Sequence, residues 1–332
     1  MLLIGTEHKT CTVTYAKTRH AKTCHAKTCH PKIRHAKTRA MPILTIHHKT
    51  EYRYARPVTF GEHRMMLRPR DGHDLRVIGE QLTIEPKPVS VRWIRDVFGN
   101  TVGIARFAGQ FEKLVFDSKV KVDHRPLRGL HLSADDYAFL HPFGYDEEEM
   151  PDLSLSIQRA FDDPDRKIEL WARQFVRSDG QTLTQDLLTD ITHAIRRDFV
   201  YRRRYQPGVQ EPLETLRTGM GTCRDFALFM IEAVRSLGYA ARFVSGYLHV
   251  RGGDHERVGG GSTHAWVQVY LPGAGWVEFD PTNGIVGNAD LIRVAIAREP
   301  RQAVPLWGSY TGKSSDHLEM KVNIRVVSET QS

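Results

Sequence analysis

The sequence lacks the features that mark membrane-spanning and secreted proteins. It has no run of about 18 or more apolar residues, and no basic start followed by an apolar run and a small-residue cleavage site. Cysteine is scarce: the chain has four, and three of them lie within residues 1–40, which leaves Cys223 alone in the rest. Because no disulfide can form in that larger part, a reducing compartment is indicated, and we expect a cytoplasmic protein.

Net charge is absent from most of the chain. The whole sequence carries a formal charge of +8, but residues 1–40 hold nine Lys or Arg against Glu7, which accounts for the entire excess. A basic surface is the electrostatic signature of nucleic-acid-binding proteins, and the chain beyond residue 40 has no such excess. We therefore expect neither nucleic acid nor a membrane as a partner, and the oligomeric state stays open.

Residues 1–40 are dominated by a five-residue repeat, of which Ala21-Lys22-Thr23-Cys24-His25 is one copy. A period of five fits neither a helix nor a strand, and the repeat has almost nothing apolar to bury, so we expect a disordered basic tail. A metal-binding arm is disfavoured because zinc modules fold around their ligands. The favoured interpretation is a translated nucleotide repeat, with the natural protein starting at Met41. The candidate ligands of that arm are Cys24, His25, Cys29 and His30.

Alternation of apolar and polar residues begins abruptly after Met41 and recurs in six segments. These are residues 43–54, 62–67, 75–84, 89–96, 101–107 and 113–122. Turn sequences such as Arg70-Asp71-Gly72 separate them, as in antiparallel sheets. The pattern predicts an all-β, sandwich-like N-terminal domain over residues 41–130, followed by a linker over residues 131–160.

Residues 161–332 show helical periodicity first and strand alternation later. Apolar stripes at residues 163–176 and 181–199 predict two helices, and a third begins near residue 223 and stops at Gly238. Alternation predicts strands, separated by a mobile glycine-rich loop at residues 251–261. This region is therefore expected to form an α+β catalytic domain in which helices pack on an antiparallel sheet. The predicted strands cover residues 240–250, 263–271, 276–280 and 320–327.

The segment from Gly219 to Met230 is the strongest candidate for chemistry. Two glycines lead into an apolar helical segment, and Cys223 stands where that helix begins. A helix N-terminus carries about half a positive charge and unpaired N–H groups, so a thiol placed there ionises more readily to the nucleophilic thiolate. An isolated cysteine is otherwise a common core residue. The preceding glycines favour the nucleophile, since they let the backbone approach a substrate closely.

Two downstream residues offer partners for this thiol. If the turn after residue 271 centres between Gly273 and Ala274, Asp280 lies opposite Val267 and about one pleat from His264. Asp280 would then orient His264, whose other nitrogen would serve the thiol. The thiolate would attack an amide carbonyl, His264 would protonate the departing amine, and the N–H of Cys223 would stabilise the oxyanion.

Four motifs in order resemble the bacterial transglutaminase-like superfamily, and residues 46–122 are similar to the β-rich N-terminal region that precedes its catalytic domain. The resemblance covers residues 44–327 and implies a papain-like fold with a Cys-His-Asp triad, carried over to Cys223, His264 and Asp280. We expect no cofactor and no metal. The resemblance favours hydrolysis of a peptide or amide substrate, with transfer of glutamine acyl groups to amines as the alternative. The motifs are residues 219–227, 241–248, 263–267 and 275–283.

Other interpretations of these residues stay open. A degenerate, catalytically silent peptide-binding or scaffold module is one, and an irregularly spaced zinc site is another. Asp225 is expected to stabilise the first turn of the helix, and Tyr201 to line the oxyanion site or the core. The basic run at residues 196–204 is either a solvated helix end or a rim for an anionic substrate. The zinc site would use Cys223, His249, His255 and His264.

Overall fold

One 23-residue strand, β1 (Ile43–Met65), runs through the whole N-terminal sheet. The computed structural model describes residues 43–126, 134–204, 208–250, 257–258 and 260–329, so the tail predicted at residues 1–40 lies outside it. Four further strands follow β1 in the N-terminal region, at positions that match the predicted alternating segments within a few residues. They are β2 (Leu75–Glu85), β3 (Ser90–Arg95), β4 (Thr101–Arg106) and β5 (Phe111–His124).

Seven strands form a single sheet around β1. Its first half, Ile43–Arg53, pairs with β5, and after a register shift this pairing resumes at Val58 opposite Phe111. The last three residues of β1, His63–Met65, pair with β4. Because β1 is continuous through both halves, the region is a single seven-stranded sheet, and its two halves share one hydrophobic core that includes Phe60, Ala105 and Phe116. The strand order is β2-β5-β1-β4-β3.

The last two strands of the chain complete this N-terminal sheet. They are β15 (Leu306–Thr311) and β16 (His317–Glu329), and both are antiparallel to β1. The expected boundary at residue 161 groups them with the catalytic domain. Alternation at residues 320–327 does indicate a strand, but it contains nothing that identifies β1 as the partner.

The middle of the chain supplies the helices. The expected linker contains short elements, including α1. The buried carboxylate of Asp163 accepts the N–H groups of Ile168 and Glu169, so it caps α2 from four residues upstream. The elements of this part are β6 (Leu140–His141), α1 (Met150–Ile157), α2 (Lys167–Arg173), β7 (Thr182–Leu183), α3 (Thr184–Asp198), β8 (Val200–Tyr201), α4 (Pro212–Thr218), β9 (Met220–Gly221) and α5 (Cys223–Ser236).

A second, five-stranded antiparallel sheet carries the helices. Its order is β13-β12-β11-β10-β14, and α5 packs across β10 and β11 while α2, α3 and α4 pack against α5. This is the predicted α+β core, and α5 is almost entirely buried at its centre. No helix among the described residues is long and apolar enough to cross a membrane. The strands are β10 (Ala241–Leu248), β11 (His264–Leu271), β12 (Gly275–Asp280), β13 (Ile285–Val286) and β14 (Leu291–Ala297).

Candidate active site

Cys223 is the first residue of α5, and two glycines shape the backbone that leads to it. Gly219 has φ of 60° at the end of α4, a left-handed conformation that favours glycine. Gly221 lies so close to the first turn of α5 that a Cβ would stand 2.9 Å from the Cβ of Asp225 and 3.1 Å from the Phe226 ring. The Cys223 side chain is buried at the resulting strand-to-helix turn, with 7% of the residue exposed.

Asp225 closes the start of this helix. Its carboxylate accepts hydrogen bonds from the Thr222 N–H and hydroxyl, both at 2.8 Å, in a capping box around Cys223. Arg204 adds two charged hydrogen bonds at 2.9 and 3.0 Å, and the Gln210 N–H donates a further one at 2.7 Å. Burial alone would raise the pKa of Asp225, but these partners lower it. The structure thus places Asp225 as a helix cap, as the sequence predicted.

His264 and Asp280 meet on neighbouring strands of the central sheet. Nε2 of His264 lies 2.8 Å from Oδ2 of Asp280, and both side chains are fully buried. The observed register pairs Val267 with Phe279, one residue away from the predicted pairing, because the turn has three residues and centres on Gly273. Asp280 therefore falls opposite Trp266 and shares a face with His264, so no bulge is needed to bring them together.

The environment of His264 favours its protonated form. Burial by itself would lower the pKa, but the charge and hydrogen bond of Asp280, together with the neighbouring Cys223, raise the pKa of His264 to about 10. Asp280 shows the reciprocal effect: burial raises its pKa, and His264, the Asn283 amide and the Thr282 N–H together lower it overall. Nδ1 of His264 is buried and has no hydrogen-bond partner among the described residues. The ring thus keeps one nitrogen uncommitted.

Asn283 is a site residue whose role the sequence reasoning missed. Its Nδ2 donates to Oδ2 of Asp280 at 2.8 Å and lies 3.3 Å from Nε2 of His264. The same amide holds Val258, donating to its carbonyl at 3.1 Å and accepting from its N–H at 2.8 Å. Asn283 thus joins the histidine–carboxylate pair to a residue of the glycine-rich segment. Its presence in the motif at residues 275–283 was the available signal.

Two aromatic residues border the pair and the thiol. Trp266 stacks near His264, with ring centroids 6.0 Å apart at an interplanar angle of 29°. Gly246 makes room for this indole, since a Cβ there would lie 2.6 Å from Trp266 and 2.2 Å from the Ile292 carbonyl. Tyr201 packs edge-on against Phe226, and burial followed by the neighbouring Cys223 raises its pKa to about 12. Tyr201 therefore packs against the core, and a position at the oxyanion site stays a prediction.

The residues of the alternative zinc site are not assembled by the described part of the chain. No group of three or more His, Cys, Asp or Glu residues within it is arranged to hold a metal ion. His264 is instead bound to Asp280, while His255 lies outside the described residues.

This geometry agrees with the family to which the chain belongs. Residues 44–123 match the bacterial transglutaminase-like N-terminal region, and residues 170–281 match the transglutaminase-like superfamily. The protein is therefore a member of the transglutaminase-like superfamily that carries this N-terminal region, as its motifs suggested. The first matched segment corresponds to β1 through β5, and the second extends from α2 to the residue after Asp280.

Two relatives show how far the similarity extends. An uncharacterized protein of Mycobacterium tuberculosis is 29% identical over 290 residues, which cover 84% of this chain and 91% of that protein. A crystal structure of a candidate cysteine protease from Cytophaga hutchinsonii superimposes with a TM-score of 0.63 at 17% identity, covering 88% of this chain and 92% of that one. The second likeness shows a shared fold over most of the chain.

Proposed function

We propose that the protein is a cysteine hydrolase that cleaves peptide or amide bonds, with Cys223 as the nucleophile. The observation that carries this proposal is the buried His264, which has Nε2 committed to Asp280 and Nδ1 without a partner. Cys223 lies close enough to raise the pKa of that histidine. A ring held in this way can exchange a proton with a thiol and can keep it as an imidazolium.

In the first half-reaction, the Cys223 sulfur attacks the carbonyl carbon of the substrate amide. A tetrahedral intermediate forms, and its oxyanion is stabilised by N–H groups at the start of α5, including that of Cys223 itself. The C–N bond then breaks as His264 transfers the proton on Nδ1 to the departing amine. The products of this step are a free amine and a thioester on Cys223, with neutral His264.

In the second half-reaction, water attacks the thioester. Neutral His264 takes a proton from the water, the C–S bond breaks, and the acid leaves as the thiolate–imidazolium pair is restored. Asp280 remains ionised throughout and holds Nε2, so it orients the ring and stabilises its positive charge. Every proton that moves is accounted for by the thiol, the histidine and the water, without a cofactor.

Transfer of a glutamine acyl group to an amine is the second candidate, because only the acceptor of the thioester differs. A library of glutamine-containing peptides, incubated with and without a primary amine and analysed by mass spectrometry, separates the two. Hydrolysis predicts the free acid in both incubations, whereas an amine adduct as the main product would establish the transferase. A silent binding or scaffold module predicts neither product, and matched incubations with Cys223→Ala control for background hydrolysis.

A further inference from the structure

A positively charged cavity lies beside the strand-to-helix turn that carries Cys223. Its volume is about 400 Å³, and it is lined by Arg202, Arg203, Arg204, Gln210, Met220 and Gly221. No carboxylate is among its lining residues. The positive charge of the cavity is a local feature, because the chain beyond residue 40 carries no net charge.

Two of the three guanidinium groups are available to a ligand. Arg204 is committed to Asp225 through two hydrogen bonds, and its side chain is only 17% exposed. Arg202 and Arg203 are exposed, and neither forms an ion pair with a carboxylate within the described ranges. Nη1 of Arg202 lies 3.8 Å from the Met220 sulfur, and the remaining N–H donors of this guanidinium are available to a ligand. Guanidinium forks are suited to binding carboxylates through paired hydrogen bonds.

The walls of the cavity are tied to the nucleophile's own backbone. β8 and β9 are parallel, and the Arg202 N–H donates to the Gly221 carbonyl at 2.8 Å. On the other side, Nε2 of Gln210 donates to the Met220 carbonyl at 2.9 Å. Gly221 is two residues before Cys223, a separation of about 7 Å at most along the chain. A substrate side chain held there belongs to a residue within about two positions of the bond that Cys223 attacks.

Tyr201 links the cavity and the thiol electrostatically as well. Burial and the neighbouring Cys223 raise the pKa of Tyr201, while Arg203 and Arg224 act in the opposite direction. The Tyr201 hydroxyl is therefore within electrostatic range of both Cys223 and Arg203.

We propose that this cavity is a substrate subsite in which Arg202 and Arg203 bind a carboxylate next to the scissile amide. The proposal deepens the function proposed above and rests on it. The substrate class is an acidic peptide or amide, and the carboxylate comes either from a glutamate or aspartate side chain or from a free C-terminus. Both sources share the chemistry that the guanidinium groups recognise, so the test distinguishes them.

Binding is measured on the full chain with Cys223→Ser, so that no turnover occurs. Three dansyl-labelled hexapeptides serve as probes, followed by fluorescence anisotropy: an amidated peptide of alanine and glutamine, the same peptide with one glutamate, and the neutral sequence with a free C-terminal acid. At least one acidic probe is expected to bind about tenfold more tightly than the neutral amide, with the preference shrinking as salt is raised. The acidic probe that shows the preference identifies the source of the carboxylate.

The arginines are tested by the double variant Arg202→Ala/Arg203→Ala in the same background. Both side chains are exposed, so folding is preserved, and the preference for acidic probes is expected to disappear. Arg92→Ala, which removes an exposed cation on β3 outside the cavity, is the matched control and should retain the preference. Equal binding of all three probes, or a preference that survives the double variant, overturns the proposal.

Failure of the subsite and failure of the proposed function give different results. If the active chain cleaves none of the peptides while the Cys223→Ser chain still prefers acidic probes through its arginines, the hydrolase proposal fails, and the cavity is a carboxylate-binding site rather than a substrate subsite. If peptides are cleaved without regard to acidic groups and the double variant cleaves them equally well, the subsite is wrong and the hydrolase stands.

Discussion

Oδ2 of Asp280 lies 2.8 Å from Nε2 of His264, and the side chains of both residues are completely buried. The carboxylate therefore decides which ring nitrogen faces the rest of the site, and it keeps the ring protonated against the cost of burial. Its own oxygens are held by the backbone N–H of Thr282 at 3.0 Å and by the Asn283 amide.

Asp280→Asn should move the titration of His264 sharply downward. The raised pKa of about 10 depends most on the charge and hydrogen bond of Asp280, and without them burial, which lowers the pKa, is opposed only by Cys223. The histidine ¹³C resonance missing from His264→Ala identifies the group, and its titration in the two proteins gives the shift. A titration near 10 that persists in Asp280→Asn would show that another group sustains the imidazolium.

The same pair makes stability depend on pH in a definite direction. Since the pKa of His264 is raised on folding, its contribution is complete below about 6.5 and is lost as the pH rises through about 10. Wild-type stability, measured by urea unfolding, should decline across this window by more than that of Asp280→Asn. If stability falls equally with pH in the two proteins, the His264–Asp280 pair is not the source of this pH dependence.

Asn283→Ala should slow turnover without weakening substrate binding to the same degree. The substitution frees Asp280 from one donor and removes both hydrogen bonds to Val258, so the histidine–carboxylate pair is held less firmly. We expect kcat to fall by about tenfold with KM little changed. The pH at which activity is lost on the alkaline side should also shift, because the histidine–carboxylate pair is held less firmly. Asn323→Ala, an exposed amide on β16, is the control and should be neutral. Equal kinetics for the two variants would remove Asn283 from the site.

Gly246→Ala tests the packing behind His264. A Cβ at this position meets the Ile292 carbonyl and the Trp266 ring, so either the strand or the indole must move. We expect a loss of about 1–3 kcal/mol or more in the free energy of unfolding, together with reduced activity, because Trp266 stacks near His264. Gly180→Ala has open space around the new Cβ and should change neither quantity. Full activity in Gly246→Ala would show that Trp266 does not position the ring.

Arg293→Ala tests the junction between the N-terminal sheet and the catalytic core. This largely buried guanidinium binds Asp74 at 2.5 Å and also contacts Glu278, so its removal takes the paired cation away from two buried carboxylates. The expected cost is about 3–5 kcal/mol, against near zero for the exposed Arg301→Ala. Burial raises the pKa of Asp74 and Arg293 lowers it, so the variant should regain stability as the Asp74 carboxyl becomes protonated in acid. Similar unfolding midpoints for both variants at neutral pH would show that Arg293 does not stabilise the fold through Asp74 and Glu278.

The sequence was most informative where its pattern is local. Alternation located β1 to β5, β10, β11, β12 and β16 but not β13, β14 or β15, and the glycines before Cys223 located the helix that carries the thiol. The order of the four motifs indicated the superfamily. Each of these signals depends on neighbouring residues, and each was confirmed by the elements observed or by the family match.

Long-range pairing is what the sequence did not reveal. Two-residue and three-residue turns both fit the segment at residues 272–274, so the β11–β12 register was predicted one residue away from the observed one. The pairing of β16 with β1 joins opposite ends of the chain, which alternation alone does not specify. Asn283 is likewise defined by its contacts with Val258 and Asp280, which only the folded loop brings together.

The central claim is that His264 activates the thiol of Cys223, and alkylation by iodoacetamide tests it most directly. The rate of modification at Cys223 is followed by peptide mass mapping, which separates this residue from the three cysteines of residues 1–40. In wild type, Cys223 should react at least about tenfold faster than in His264→Ala, because the histidine that holds the thiol's proton is gone in the variant. Equal rates at Cys223 in the two proteins would contradict the account.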